Sequence, residues 1–288
     1  ILPISIAFLV VSILYAFSVQ DEYRSTALLV PASASSSTSL SKLAGQFGGL
    51  ASLAGVSLGG GGSGDKSTIA IELIKTRGFL EVFIKNNGLE VEVFAVNGWD
   101  KLNNKLLIDS SVYDEGTSSW KKKPGTEKAA PSSWKLFSAI ENRISVNQDK
   151  KTGLILLSVE HYSPVVAKRW VDLLVLSINR HIQMRDREEA LNSIEYLKTQ
   201  IGKTRVAEMQ AIFYQLIEEQ TKTLMLAESS REYVFKTLSP AMVAEIKAKP
   251  KRAQIVVLGG MFGGMFSVMC VLIRYFVKGR LSRESSAI

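Results

Sequence analysis

The sequence predicts an α+β membrane protein in which two transmembrane helices flank a mixed α/β body that carries a very long protruding helix. Three observations carry this reading. An uncharged apolar run stands at each end, short strand and helix signals alternate between the runs, and an amphipathic stretch extends from residue 164 to about 229 with Gly202 as its one glycine. The expected divisions are 1–19 and 253–273 for the two spans, 20–252 for the body and 274–288 for a tail.

Each terminal run is long enough to cross a hydrocarbon core of about 30 Å as an apolar helix, which takes ~20 residues. Ile1 to Val19 holds no charge, and Ala253 to Ile273 has Gln254 as its one strongly polar residue. A cleavable signal peptide is the rival for the first run, because Ala16-Phe17-Ser18 is a small-x-small triplet. Two crossings place both ends on one side of a membrane and the body on the other. Arg274, Lys278, Arg280 and Arg283 mark the tail side as cytoplasmic, although Lys247, Lys249, Lys251 and Arg252 stand before the second run in equal number. Gly259, Gly260, Gly263 and Gly264 form two overlapping GxxxG spacings, which predict close helix packing against the first run or a neighbouring subunit.

Within the body, Glu22 to Val30 reads as a strand stopped by Pro31, followed by a serine- and glycine-rich segment to Gly64. Asp65 or Ser67 caps an expected helix to Asn86. Glu90 to Val96 and Leu106 to Ile108 read as strands, Asp114 to Ser132 as polar loop and Trp134 to Arg143 as helix. Ser145 to Gln148 and Leu154 to Glu160 flank Asp149-Lys150-Lys151-Thr152-Gly153 as a hairpin. Tyr233 to Leu238 is expected to return as a strand beside Tyr23 to Val30.

Ser163-Pro164 supplies a cap and a proline at the first helical position. Val166, Trp170, Leu174 and Ile178 then follow the rhythm of a helix laid on a sheet, and a narrower stripe resumes from Leu191. Continuous to residue 229, the helix is a rod of about 100 Å at 1.5 Å per residue. Such a rod needs neighbours along its far half, so self-association is expected, with Leu191, Ile194 and Leu197 as candidate subunit contacts. The plainer alternative is a break near Gly202 and a hairpin that covers itself.

Composition narrows the chemistry. One cysteine and two histidines exclude a disulfide framework and leave little for a metal or histidine-based centre. The net charge of +8 invites a nucleic-acid partner, but part of the excess lies in the tail, and none is expected. Gly64-Asp65-Lys66-Ser67 imitates a phosphate loop, yet Asp65 separates glycine from lysine and brings negative charge to the phosphate position. Adjacent Glu188-Glu189 and Glu218-Glu219 point apart on a helix and share no site. Trp120 and Trp134 flank a loop and are candidates to stack on sugar rings, with packing an equal alternative. No catalytic residue, cofactor or metal is expected.

The order of elements, with Gln20-Asp21-Glu22-Tyr23 after the first helix, Asp149-Lys150-Lys151-Thr152-Gly153, Ser163-Pro164, Ser239-Pro240-Ala241 and Lys249-Pro250-Lys251-Arg252 before the second, resembles the Wzz family of polysaccharide co-polymerases. Met242-Val243-Ala244 stand where that family usually has a further proline. The resemblance implies a bacterial inner-membrane protein with both termini cytoplasmic and a periplasmic central body. It implies a ring-shaped homo-oligomer, often an octamer, working with the O-antigen polymerase on lipid-linked polysaccharide. The implied role is chain-length determination for lipopolysaccharide O-antigen or a related polymer, without bond chemistry of its own. Some related co-polymerases carry a cytoplasmic tyrosine-kinase domain. The alternative from another class is a bitopic receptor with a periplasmic ligand-sensing domain; a glycan-active enzyme is a distant third.

Overall fold

The computed structural model describes residues 2–32, 63–122 and 129–284; the side chains of 2–5, 7, 63–65, 268 and 270–284 lie outside the description. The expected serine- and glycine-rich segment therefore falls largely outside the described residues, as do Lys123 of the lysine run and the side chain of Cys270.

The body is built on a five-stranded sheet. Strands β1 (Glu22–Pro31), β6 (Ile144–Gln148), β7 (Ile155–His161), β8 (Phe235–Ser239) and β9 (Lys247–Lys249) pair antiparallel in the order β6-β7-β1-β8, with β9 on β1 as well. β8 and β9 share one edge of β1. β8 takes Leu28 to Pro31 and β9 takes Glu22 and Tyr23, so both return segments are tied to one strand. Alternation in β1 turns Ser25, Ala27 and Leu29 inward. Its outer face carries cross-strand pairs: Arg24 stands opposite Glu160 and Thr26 opposite Ser158, whose hydroxyls are 2.9 Å apart. Asp149 turns the β6–β7 hairpin by accepting from the Lys151 N–H at 2.8 Å, and Gly153 supplies the positive φ of 72°.

Two smaller ribbons, β2 (Val96–Asp100) with β3 (Lys105–Ile108) and β4 (Tyr113–Asp114) with β5 (Ser119–Trp120), stand beside this sheet. The helices of the body are α2 (Ser63–Ile74), α3 (Arg77–Asn86), α4 (Glu90–Phe94) and α5 (Ser133–Glu141). Two expectations change here. The single helix to Asn86 is divided, because the Thr76 hydroxyl caps a new start by accepting from the Phe79 N–H. The expected strand from Glu90 is helical until Phe94, since burial of Val93 and the Trp170 bond to Glu92 outweigh the β-preference of its valines.

α6 (Pro164–Lys203) begins at the expected cap, with Ser163 accepting from the Val166 N–H. Its first turns lie on the inner sheet face and bury Val166, Trp170, Leu174, Ile178 and Ile182. At 40 residues it reaches about 60 Å. The continuous rod expected over 164–229 is not formed. Thr204 and Val206 take extended backbone angles, and α7 (Ala207–Ser229) returns along α6. Arg187 meets Glu228 at 3.4 Å, and Gln183 donates to the carbonyls of Ala227 and Ser230. The break follows Gly202, which itself stays helical; reversal lets one chain cover part of its own apolar stripe.

Asn179 couples this hairpin to the sheet. It is buried on α6, accepts from the N–H groups of Val234 and Phe235 at 2.7 and 2.9 Å, and donates to the Phe235 carbonyl at 3.0 Å. One side chain thus supplies the backbone partners at the start of β8.

α1 (Leu2–Ser18) and α8 (Arg252–Glu284) lie side by side and run antiparallel below the sheet. Among the described residues no helix is long and apolar enough to cross a membrane. α1 has 17 residues, about 26 Å of helix, and the expected 253–273 span continues past Met269, the last described side chain.

Candidate functional site

Of the stretches that carried the sequence resemblance, Gln20 to Tyr23 and Lys249 to Arg252 meet where the two terminal helices join the sheet, and Ser239-Pro240 leads into that junction. Ser239 closes β8 opposite Leu28. Pro240 opens the connection to β9, which the Ser25 hydroxyl holds by donating to the Met242 carbonyl at 2.6 Å. Lys249 pairs in β9 opposite Glu22, and its ammonium reaches across β1 to Glu160. Pro250 follows a cis peptide bond, and the carbonyl of Lys251 accepts from Gln254 at 2.9 Å in the first turn of α8. Arg252 donates to the Ala16 carbonyl at 3.1 Å and to Asp21 at 2.9 Å, with its guanidinium 5.0 Å from the ring centre of Phe17.

Two carboxylates organise this junction. Glu160, nearly buried on the outer sheet face, receives Arg24 from β1 and Lys249 from β9, so it ties three strands together. Burial raises its pKa, but the hydrogen bonds from Lys249 and Arg24 prevail and hold it below the ordinary carboxylate range. Asp21, between α1 and β1, receives Arg252 and, at 3.3 Å, Lys247. The charges thus lock the ends of both terminal helices to the same strand.

The helices continue the contact. Ser12 donates to the Ile255 carbonyl at 3.2 Å, and Phe8 meets Phe266 at 5.6 Å. A Cβ at Gly259 would collide with the Cβ and Oγ of Ser12, whereas one at Gly260 would meet Leu9 at 3.9 Å. Gly263 is buried, but Gly264 has open space around it. The glycine pattern therefore serves contact within one chain at Gly259. Of the candidate subunit contacts, Leu191 is exposed, Ile194 half-buried and Leu197 buried in the single chain.

His161 stands at the end of β7. It is buried against Trp170, its Nδ1 accepts from the Ser163 N–H at 3.0 Å, and its Nε2 faces the Glu92 carbonyl at 3.4 Å. Burial, reinforced by the positive charge of Arg143, lowers its pKa to about 4. Glu218 pairs with Lys222 at 2.7 Å as surface decoration. Trp120 packs on Tyr113 and Phe94, while Trp134 is exposed beside Phe137 and Arg77. Among the described residues no group of three metal-binding side chains occurs.

Sequence reasoning passed over Trp99 and Lys101. Both stand with Tyr23, Tyr162 and Arg252 around a cleft of about 210 Å³ at this junction. The β2–β3 ribbon meets the junction at Gly98, where a Cβ would lie 3.5 Å from the Gln20 side chain and 3.2 Å from Leu107 of the same ribbon. No signal in a lone Gly98-Trp99 dipeptide locates that approach.

Comparison with known proteins bears on the same region. Residues 203–276 match the family model described as "G-rich domain on putative tyrosine kinase". That match takes in α7, β8, β9 and the Lys249-to-Arg252 stretch. The Ser239-to-Arg252 part of the sequence resemblance to the Wzz family lies inside that match. Solved structures similar to it include a full-length bacterial polysaccharide co-polymerase, 12% identical over 96% of this chain and 94% of that one, with a TM-score of 0.34. A fragment of WzzB, the polysaccharide co-polymerase from Salmonella Typhimurium, is 10% identical over 80% of this chain and all of its own, with a TM-score of 0.31. At these TM-scores neither likeness informs the activity of this chain. No curated protein matches it in sequence.

Proposed function

We propose that the protein is a non-enzymatic regulator of surface-polysaccharide chain length, of the lipopolysaccharide O-antigen type, held in the bacterial inner membrane by α1 and α8. Both termini lie in the cytoplasm and the body stands in the periplasm. The observation that carries the reading is the terminal helix pair. Its contact face is made of Ser12, Ala16, Gly259 and Gly263, while Leu14, Phe17, Met261, Phe262 and Met265 are each at least 62% exposed. An apolar pair with its large side chains outward suits lipid and not water. The Wzz-family resemblance supplies the polysaccharide connection.

The protein works as a closed ring of identical subunits, octameric by analogy with the family, beside the O-antigen polymerase and its lipid-linked polymer. Support comes from the hairpin. α7 buries Ala227 but leaves Met209, Ile212, Leu216, Met225 and Leu226 exposed, and α6 leaves Leu191 and Tyr196 exposed. Contact between copies hides such a surface, and closed symmetry is the usual form of self-association. Deleting the gene tests the reading. Polymer synthesis continues while its preferred length is lost, seen as an altered ladder on a gel; an unchanged ladder overturns the proposal.

A further inference from the structure

The cleft at the junction is placed and charged for a ligand. We propose that it binds the phosphate of a lipid headgroup whose ester partner carries hydroxyl groups; this rests on the reading that α1 and α8 enter a bilayer. Arg252 and Lys101 line the cleft, and Lys101 is exposed with no ion-pair partner among the described residues. Asp21 is the one carboxylate of the lining and is already met by Arg252 and Lys247. Two cations against one carboxylate in the lining, with Lys247 meeting that carboxylate from outside, leave a positive excess, which selects an anion. The guanidinium spends donors on Ala16 and Asp21 and keeps further N–H groups for a phosphate oxygen.

The walls define the rest of the ligand. Tyr23 and Trp99 meet edge to face at 5.5 Å, and Tyr162, Gln20, Phe17 and Val19 complete the lining. Aromatic faces take the C–H surface of a glycerol or sugar, while the tyrosine hydroxyls and the Gln20 amide pair with its hydroxyl groups. Depth agrees with this chemistry. The cleft sits at the end of α1 and the start of α8, where the outward apolar faces stop, and tryptophan, tyrosine, lysine and arginine gather at that level of a bilayer. Phosphatidylglycerol and a polyprenyl-linked sugar phosphate both present the required group.

Full-length protein in nanodiscs of phosphatidylethanolamine and phosphatidylglycerol, assayed by native mass spectrometry of retained lipid, tests the proposal. Phosphatidylglycerol is retained preferentially, and Lys101→Ala weakens retention about tenfold, the scale of one charge-assisted bond. Lys150→Ala, at the opposite end of the sheet, leaves it unchanged. Trp99→Ala weakens retention as well, while the surface change at Lys101 keeps the test independent of folding. Displacement by added polyprenyl sugar phosphate identifies the lipid-linked saccharide as the ligand, and no displacement identifies the bulk phospholipid; either supports the site. Equal retention of the two phospholipids, an unaffected Lys101→Ala protein, or equally effective displacement by inorganic phosphate overturns it. Protein released from membranes by alkaline carbonate overturns the membrane reading as well, whereas inserted protein without lipid preference overturns this proposal alone.

Discussion

Gly259 of α8 faces Ser12 of α1 so closely that a Cβ on the glycine would overlap the serine side chain. The contact sets the separation of the terminal helices, and Ser12 reinforces it through its bond to the Ile255 carbonyl. Gly259→Leu forces the helices apart at a cost of about 1–3 kcal/mol, the range for overpacking. Gly264→Leu, made where nothing lies within 4 Å, is milder. Thermal unfolding of both variants in detergent measures the difference.

Glu160 holds Arg24 and Lys249 together, so Glu160→Gln loosens β9 and with it the start of α8. Because both cations are half-exposed, the expected loss is about 1–2 kcal/mol, below that for a fully buried pair. Its folded pKa lies below the ordinary 4.5. Its contribution is therefore present above pH 4.5 and is lost as pH falls through the folded value. Denaturant titrations of wild type and variant converge in that acidic window.

His161 contributes over a different interval. Its pKa falls from 6.5 in the unfolded chain to about 4 in the fold, so the unfolded state binds more protons between those values. Stability is full above pH 6.5 and declines by about 3 kcal/mol as pH drops to 4, given 1.36 kcal/mol per pKa unit. His161→Gln lowers stability at neutral pH and flattens the slope across this interval, as urea midpoints at a series of pH values record.

Asn179→Leu keeps the volume but leaves the Val234 and Phe235 N–H groups without their buried acceptor. The cost is about 2–4 kcal/mol, from desolvating donors that lose their partners. Hydrogen exchange at Val234 and Phe235 accelerates before that of β7.

Much of this architecture was legible because its signals are local. Ser163-Pro164 announced the start of α6, Pro31 the end of β1, and Asp149 with Gly153 the hairpin. The reversal after Lys203 was visible only as the alternative of a break near Gly202, since Thr204 and Val206 disfavour helix by only about 0.7 kcal/mol each. Packing of α7 on α6 decides there, and that contact has no local mark. Glu90 to Phe94 misled for a related reason: tertiary bonds to Glu92 override valine preference. The junction was visible as Asp21 and the Lys249-to-Arg252 stretch, but its closure on Glu160 depends on strand register. Trp99 enters through the β2–β3 ribbon, whose docking no spacing announced.

The membrane reading is tested most directly by single-cysteine labelling in a Cys270→Ser background. Leu102, 95% exposed on the β2–β3 ribbon, and Ser282 in the tail are each replaced by cysteine. An impermeant thiol reagent admitted to the periplasm labels Leu102→Cys at once and Ser282→Cys only after the inner membrane is opened. Simultaneous labelling, or protection of both until lysis, contradicts the arrangement of body and termini on opposite sides.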